Sequence, residues 1–304
     1  MKTPVAFFIF NRPDTTELVF EAIRRAAPSR LLIVADGPRL GRLGEAEKCA
    51  AAREIVSRVD WSCEVSVDYA ERNLGCRRRV SSGLDWVFRT VEEAIILEDD
   101  CLPDQSFFRF CQELLEKHRS DDRIMMISGD NFQKGVGTIS DSYHFSRYPH
   151  IWGWASWRRA WKLYDVEMQQ WQRFRGEGML EGLFQEKETQ RFWREVFDSV
   201  HRGEIDTWDH QFTFACLRHQ ALCVVPAVNL VSNLGFREDA THTRERNNMA
   251  ELRTVPIRFP LRHPHDVVRN VEADLLTETE HRLPSGPVAG LRRMLGRIVR
   301  KVRG

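Results

Sequence analysis

Ile95-Ile96-Leu97-Glu98-Asp99-Asp100-Cys101-Leu102-Pro103 decides the fold, because an apolar run stops there at three consecutive carboxylates. Residues 94–97 suit a strand buried on both faces, and the acids fall just beyond its carboxyl end. Adjacent negative charges repel one another unless a cation neutralises them. Oxygen donors of this kind suit a hard divalent ion, Mg²⁺ or Mn²⁺, which takes one or two carboxylates and completes its shell with water and substrate phosphate. A bare Glu-Asp-Asp is more often a solvated turn, so its context has to carry the weight.

Upstream, Val5 to Phe10 reads as a buried strand ended by Asn11-Arg12-Pro13. A helix follows, capped by Asp14 with Glu17 three residues on, and carries Leu18, Val19, Ala22 and Ile23 on one face. Residues 31–35 form a second strand stopped by Asp36-Gly37, and a helix over about 45–59 leads to a third strand at 63–69, followed by Glu71-Arg72-Asn73. A helix over about 78–88 precedes the strand that delivers the acids; a helix near 105–118 and a strand at 124–128 come after it. Such alternation predicts an α/β fold with a mostly parallel sheet and helices on both faces. Right-handed crossovers then bring the polar strand ends onto one rim, where open sheets bind ligands. The chain has neither G-x-G-x-x-G nor G-x-x-x-x-G-K-[ST], so a bound diphosphate falls to metal and arginine.

Beyond Ser128-Gly129-Asp130-Asn131 stands an aromatic block running from Tyr148 to Trp161. Trp157 and Trp161 have helical spacing with Tyr164 and read as core, whereas Trp152 and Trp154 flank Gly153 and suit stacking on a sugar ring. Residues 165–187 read as a polar, mobile insertion. A helix over about 189–201 follows, and another begins near Asp209, where an acid taken alone is usually a cap. Residues 222–226 read as a further strand.

Composition fits a globular body: 304 residues are 42% hydrophobic, and 45 basic against 44 acidic side chains argue against a nucleic-acid binder. Seven cysteines form no C-x-x-C pair, which suggests neither a zinc site nor a disulfide framework and points to a reducing compartment. The apolar start at Val5 to Phe10 is too short for a signal peptide or a membrane span, so the cytoplasm is expected.

In order, the motifs resemble those of GT-A glycosyltransferases, specifically the N-acetylglucosaminyltransferase I-like group and its bacterial relatives. They are Arg12 and Asp36 at strand ends, Arg77-Arg78-Arg79, Ile-Leu-Glu-Asp-Asp with Pro103-Asp104 and Phe107-Phe108, Ser128-Gly129-Asp130-Asn131, Gly153-Trp154, Trp208-Asp209, Gly235-Phe236 and His242. The resemblance implies a Rossmann-like GT-A catalytic domain over 1–243, with a nucleotide-sugar half to about 131 and an acceptor half from 132. It implies transfer of a sugar, with inversion, from a nucleotide-diphosphate donor such as a UDP-sugar to a hydroxyl of a glycan. Arg12 and Asp36 then hold the nucleoside, Arg77 and Arg79 are the candidates for the diphosphate, Glu98 and Asp99 face the donor, Asp100 binds Mn²⁺ or Mg²⁺ with His242 as an additional ligand, and Asp209 is the base. Trp208 joins Trp152 and Trp154 on the acceptor side. The chain departs from the animal enzymes at His210, where they carry a second acid.

Two other classes fit parts of the pattern. A sugar nucleotidyltransferase also pairs a parallel sheet with carboxylates and Mg²⁺, but the first strand here lacks its Gly-rich loop; a non-catalytic sugar-binding relative leaves the acid triplet unexplained. Residues 244–287 read as an extension ending in the hinge Pro284-Ser285-Gly286-Pro287. In the tail 288–304, Leu291, Met294, Leu295, Ile298, Val299 and Val302 share one helical face, and most remaining positions are basic. An amphipathic helix of this kind suits an anionic membrane surface, hence a peripheral place on the inner face of the cytoplasmic membrane and a lipid-linked acceptor, as in bacterial surface polysaccharide assembly.

Overall fold

A computed structural model of the chain describes residues 1–133, 140–236 and 252–282, the last four of these as backbone only. His242, the hinge at 284–287 and the tail at 288–304 lie outside the described residues. β1 (Val5–Ile9), α1 (Pro13–Ala26), β2 (Arg30–Ala35), α2 (Glu45–Val56), β3 (Glu64–Tyr69), α3 (Cys76–Thr90) and β4 (Glu93–Glu98) alternate as the sequence predicts. Then come β5 (Cys101–Pro103), α4 (Gln105–Lys117), β6 (Ile124–Ser128), β7 (Tyr143–Ser146), β8 (Trp154–Trp157) and α5 (Arg158–Trp161). The remainder is α6 (Trp171–Gly176), α7 (Met179–Leu183), α8 (Lys187–His201), α9 (Asp209–Arg218), β9 (Leu222–Pro226), β10 (Val231–Asn233) and α10 (Val271–Arg282).

Eight strands form one sheet in the order β3-β2-β1-β4-β8-β6-β9-β7. β3, β2, β1 and β4 run parallel, as do β6 and β9, while β8 lies antiparallel between β4 and β6 and β7 is an antiparallel edge. The architecture is α/β with a mostly parallel sheet. Because β1 and residues 94–97 of β4 are apolar at every position, they fill both faces. Phe7, Ile33, Ile95 and Leu97 meet α1, α2 and α4 on one side, and Phe8, Val34, Ile96 and Trp154 meet α3, α5 and α9 on the other.

Some local expectations give way. α1 starts on Pro13 with Arg12 as its cap residue, so Asp14 supports the helix dipole from the first turn and is not the cap, and Leu18 is half exposed. Trp157 closes a strand, because pairing of β8 between β4 and β6 overrides the helical spacing of the tryptophans. The segment 165–187 is not an unstructured insertion. Met168, Trp171, Phe174, Leu180 and Phe184 are buried with Trp193 and Phe197 of α8 and Phe214 of α9 in a third core. Residues 252–282 pack back on the domain: buried Asp274 of α10 accepts a hydrogen bond from Ser146 of β7, and Glu278 accepts one from Tyr148 at 2.8 Å.

Trp171 is fully buried and donates its indole N–H to Asp198 at 2.9 Å. Trp171→Ala is expected to lower unfolding free energy by about 3–5 kcal/mol, the usual loss for a buried aromatic. Denaturant titration measures this, and a loss near zero would show the third core to be dispensable.

Candidate active site

Parallel pairing puts the carboxyl ends of β1 to β4 on one rim, and the antiparallel β8 begins at that same rim, since Trp154 pairs with Ile96. β10 pairs antiparallel with the short β5, which carries residues 233–236 to the triplet from far along the chain. The result is a cleft of about 660 Å³ lined by Phe10, Arg12, Asp36, Glu98, Asp99, Asp100, Trp152, Trp208, Asp209 and Phe236, among others. Its size suits a nucleotide-sized ligand.

At the centre, Asp100 accepts a hydrogen bond from Arg12 across 2.6 Å, and its backbone carbonyl accepts from Leu234 at 2.7 Å. A Cβ placed on Gly235 would lie 2.2 Å from Asp100 Oδ2, so only glycine lets this loop close against the carboxylate. Asp99 accepts from the Phe10 backbone N–H at 2.9 Å. Burial, then the neighbouring charges of Asp100 and Asp99, hold Glu98 above the ordinary carboxylate range; burial and Asp100 do the same to Asp99. The charge of Asp209 acts on Glu98 too, so α9 brings a further acid to the same space. Such mutual repulsion fits a bound divalent cation. Among the described residues no three His, Cys, Asp or Glu side chains converge as a cage, but one carboxylate completed by phosphate and water needs none.

Toward β2 and β3, Asp36 is buried and its oxygens accept from the backbone N–H groups of Gly37 and Leu74 and from the Asn73 amide at 2.9 Å. Asp36 thereby builds the loop after β3 as well as lining the cleft. Arg39, which the sequence reading passes over, stands beside it: buried Glu45 accepts from its backbone N–H at 2.7 Å and from its guanidinium, which lies 5.6 Å from the Phe10 ring centre. Its only sequence signal is its place three residues after Asp36. Arg79 lines the cleft but is buried and committed to the carbonyl and carboxylate of Asp68 at 2.7 and 2.9 Å. Arg77 does not line the cleft; it donates to the Val166 carbonyl at 2.6 Å and to Glu167. The register of α3 turns its first-turn arginines to different neighbours, so the expected diphosphate clamp of Arg77 and Arg79 is not assembled.

On the far side, Trp152 lines the cleft and packs edge-on against Phe236 and Phe132, with centroids 5.3 and 5.0 Å apart. Trp154 is fully buried against Trp208 and Phe212 and has no face for a sugar. Trp154 is the first residue of β8 and points into the layer of α3, α5 and α9, whereas Trp152 precedes the strand on the other side of Gly153, whose φ of 70° breaks the extended backbone between them. Trp208 is 2% exposed and reaches the cleft only as part of its wall. Asp209 begins α9 with Oδ1 accepting from Thr207 Oγ1 and from the His210 N–H at 2.9 Å; Oδ2 makes no hydrogen bond among the described residues. Behind the wall, Asp130 is fully buried: Oδ2 accepts from the Trp152 N–H at 2.8 Å, and Oδ1 has no hydrogen-bond partner among the described residues. Asp130 thus fixes the backbone of the one tryptophan that opens onto the cleft.

No protein-family model matches the chain, and no curated protein matches it. Solved structures similar to it include the galactosyltransferase LgtC in complex with donor and acceptor sugar analogs, at 11% identity and TM-score 0.39, over 94% of this chain and 98% of that one. A putative nucleotide-diphospho-sugar transferase from Desulfovibrio desulfuricans G20 aligns at 11% identity and TM-score 0.35, over 82% and 93%. A cytidylyltransferase from Leptospira borgpetersenii aligns at 11% identity and TM-score 0.32, over 54% and 63%, so the chain spans less than two thirds of that protein. Likeness at this level assigns no activity, and function rests on the cleft.

Burial holds the Asp130 carboxyl well above its ordinary range, so it stays protonated in the folded chain. In the unfolded chain it ionises near pH 3.9, so the contribution of Asp130 to stability falls as pH rises from about 4 toward neutrality. Asp130→Asn removes that dependence. Its stability relative to wild type is expected to climb between about pH 4 and 7. Denaturation across that range checks this, and a pH-independent difference would contradict it.

Proposed function

We propose that this chain is a metal-dependent, inverting glycosyltransferase that moves a sugar from a nucleotide-diphosphate donor, such as a UDP-sugar, to a glycan hydroxyl. The observation that carries the reading is the meeting of two acid sets in one cleft: the triplet Glu98-Asp99-Asp100 with Arg12, and Asp209 at the start of α9, whose charge acts on Glu98. Phe10, Asn11, Asp36, Asn73 and Arg39 line the nucleotide end, where the parallel strands finish. Asp100 is the residue to hold Mn²⁺ or Mg²⁺, with Glu98 and Asp99 behind it. When bound, such an ion neutralises charge on the departing diphosphate.

Asp209 Oδ2 takes the proton as the acceptor oxygen bonds to the anomeric carbon; the bond from that carbon to the diphosphate oxygen breaks, and its electron pair leaves with the diphosphate. A single displacement of this kind needs no carboxylate nucleophile and inverts the anomeric centre. Arg12 supplies a guanidinium in contact with the triplet for the leaving phosphate. Trp152 and Phe236 offer apolar faces to the acceptor sugar.

Asp209→Asn is expected to lower kcat about 10²- to 10⁴-fold with little change in donor affinity. Asp100→Asn should nearly abolish transfer at saturating Mn²⁺. Turnover of a nucleotide-sugar panel with and without Mn²⁺ measures both, and product stereochemistry tests the inversion. Release of inorganic diphosphate from a nucleoside triphosphate and a sugar phosphate would instead mark a nucleotidyltransferase.

The basic amphipathic tail supports a working place at an anionic membrane, where each cation near the surface adds up to about 1 kcal/mol. No described helix is long and apolar enough to cross a membrane. Deleting residues 288–304 should abolish sedimentation with phosphatidylserine liposomes and leave donor turnover intact. Liposome binding unchanged by the deletion would remove this part of the proposal.

A further inference from the structure

α3 begins without a capping side chain of its own. Gly75 sits at the cap with φ 80°, the first turn holds no acid, and it carries Arg77, Arg78 and Arg79, the wrong charge for the positive end of a helix. The anion comes from a distant part of the chain. Asp206 Oδ2 accepts from the Cys76 N–H and Oδ1 from the Arg77 N–H, both at 3.1 Å. A Cβ on Gly75 would lie 2.8 Å from Asp206 Oδ2, so this glycine leaves room for the carboxylate as well as supplying the left-handed conformation.

Asp206 also stands three residues before Asp209, in a turn pinned at each position. The Thr207 carbonyl accepts from Gln211 Nε2 at 2.7 Å, the Trp208 carbonyl accepts from Tyr164 at 3.2 Å, and the Thr207 hydroxyl donates to Asp209. These three bonds stay within the acceptor half. The Asp206 bonds cross to the donor half, to the helix that follows β3 and precedes β4. We infer that Asp206 is a positioning residue for the transfer reaction: by clamping the turn 206–209 to the N-terminus of α3, it sets the distance of the Asp209 carboxylate from the donor bound at the β4 end. The inference rests on Asp209 acting as the base. It concerns geometry across the cleft and not proton transfer, because both Asp206 oxygens are already engaged by backbone N–H groups.

A double-mutant cycle tests it with the full-length chain, Mn²⁺ and the nucleotide sugar that the panel identifies. Asp206→Ala is expected to lower kcat by at least about 10-fold, as misplacement of a reacting group by about 1 Å does, with donor KM little changed. Asp206→Asn, which keeps one carbonyl oxygen able to accept from one of the two N–H groups, should recover part of the loss. In the Asp209→Asn background, Asp206→Ala should lower kcat by less than about 2-fold, because the group it positions is already gone. Loss of the helix cap as such should lower Tm equally in both backgrounds. Equal kcat losses in the two backgrounds would overturn the inference and leave the base intact. Wild-type turnover by Asp209→Asn would overturn the base assignment, and with it this inference.

Discussion

Repulsion among the carboxylates at the end of β4 is the constraint on which the rest of the site depends. Glu98, Asp99 and Asp100 cannot retreat along the strand, because β4 is buried between β1 and β8 and a slip of one residue would drive Glu98 into the core. They are held in place by donors: the Phe10 N–H on Asp99, the Arg12 guanidinium on Asp100 and the Cys101 thiol beside it. The loop after β10 then presses Gly235 against Asp100, so the position of one carboxylate is set from two distant stretches of chain, at Arg12 and at Gly235. A cation or a phosphate entering here meets charge fixed in advance, the arrangement in which electrostatics does most for a reaction.

The arginines of the cleft are restrained in the same way, each by its own acid. Arg79 is tied to Asp68, Arg39 to buried Glu45, and Arg12 to Asp100. Their freedom differs. Arg79 holds a backbone carbonyl as well as a carboxylate and is buried, which makes it part of the β3–α3 joint. Arg12 and Asp100 form a pair whose two members both belong to the cleft, and under the proposed function such a pair would exchange partners on binding of a diphosphate and its counter-ion. Tight pairing before binding keeps either charge from standing alone in a partly buried site.

The sequence made residues 1–131 legible and residues 132–236 much less so, for a physical reason. Strands β1, β2 and β4 are apolar runs that stop at Arg, Asp or Glu, as strands buried on both faces must, while the exposed edge β3 alternates polar and apolar residues and is followed by Glu71-Arg72. Parallel order then brings their ends together without further information. β8 is an antiparallel strand of only four residues, Trp154 to Trp157, whose aromatics carry helix-like spacing, and its direction is fixed by pairing with β4. β5 and β10 have three residues each and exist because they pair across more than a hundred residues of chain. The same holds for side chains. Nothing local distinguishes Trp152, which faces the cleft, from Trp154, which does not, until the strand start is known. Arg77 and Arg79 share a basic triplet, and only the position of α3 decides that neither is left to face a phosphate. Asp206 sits in plain view before Trp208-Asp209, but its partners are the backbone of a helix 130 residues away.

α9 shows why this second part of the chain nevertheless holds Asp209 firmly. Phe212, Ala215 and Cys216 pack on the sheet, while Phe214 and Leu217 pack on the aromatic core built by α6 to α8, so the helix is buried on two sides. A helix clasped in this way cannot rock about its axis without opening one core or the other, and its first residue inherits that rigidity. The segment that reads as a polar, mobile insertion in sequence, 165–187, supplies the second of those cores through Met168, Trp171 and Phe174. On the proposed reading of Asp209 as the base, a place at the start of a doubly packed helix preserves the advantage of proximity that a flexible loop would lose.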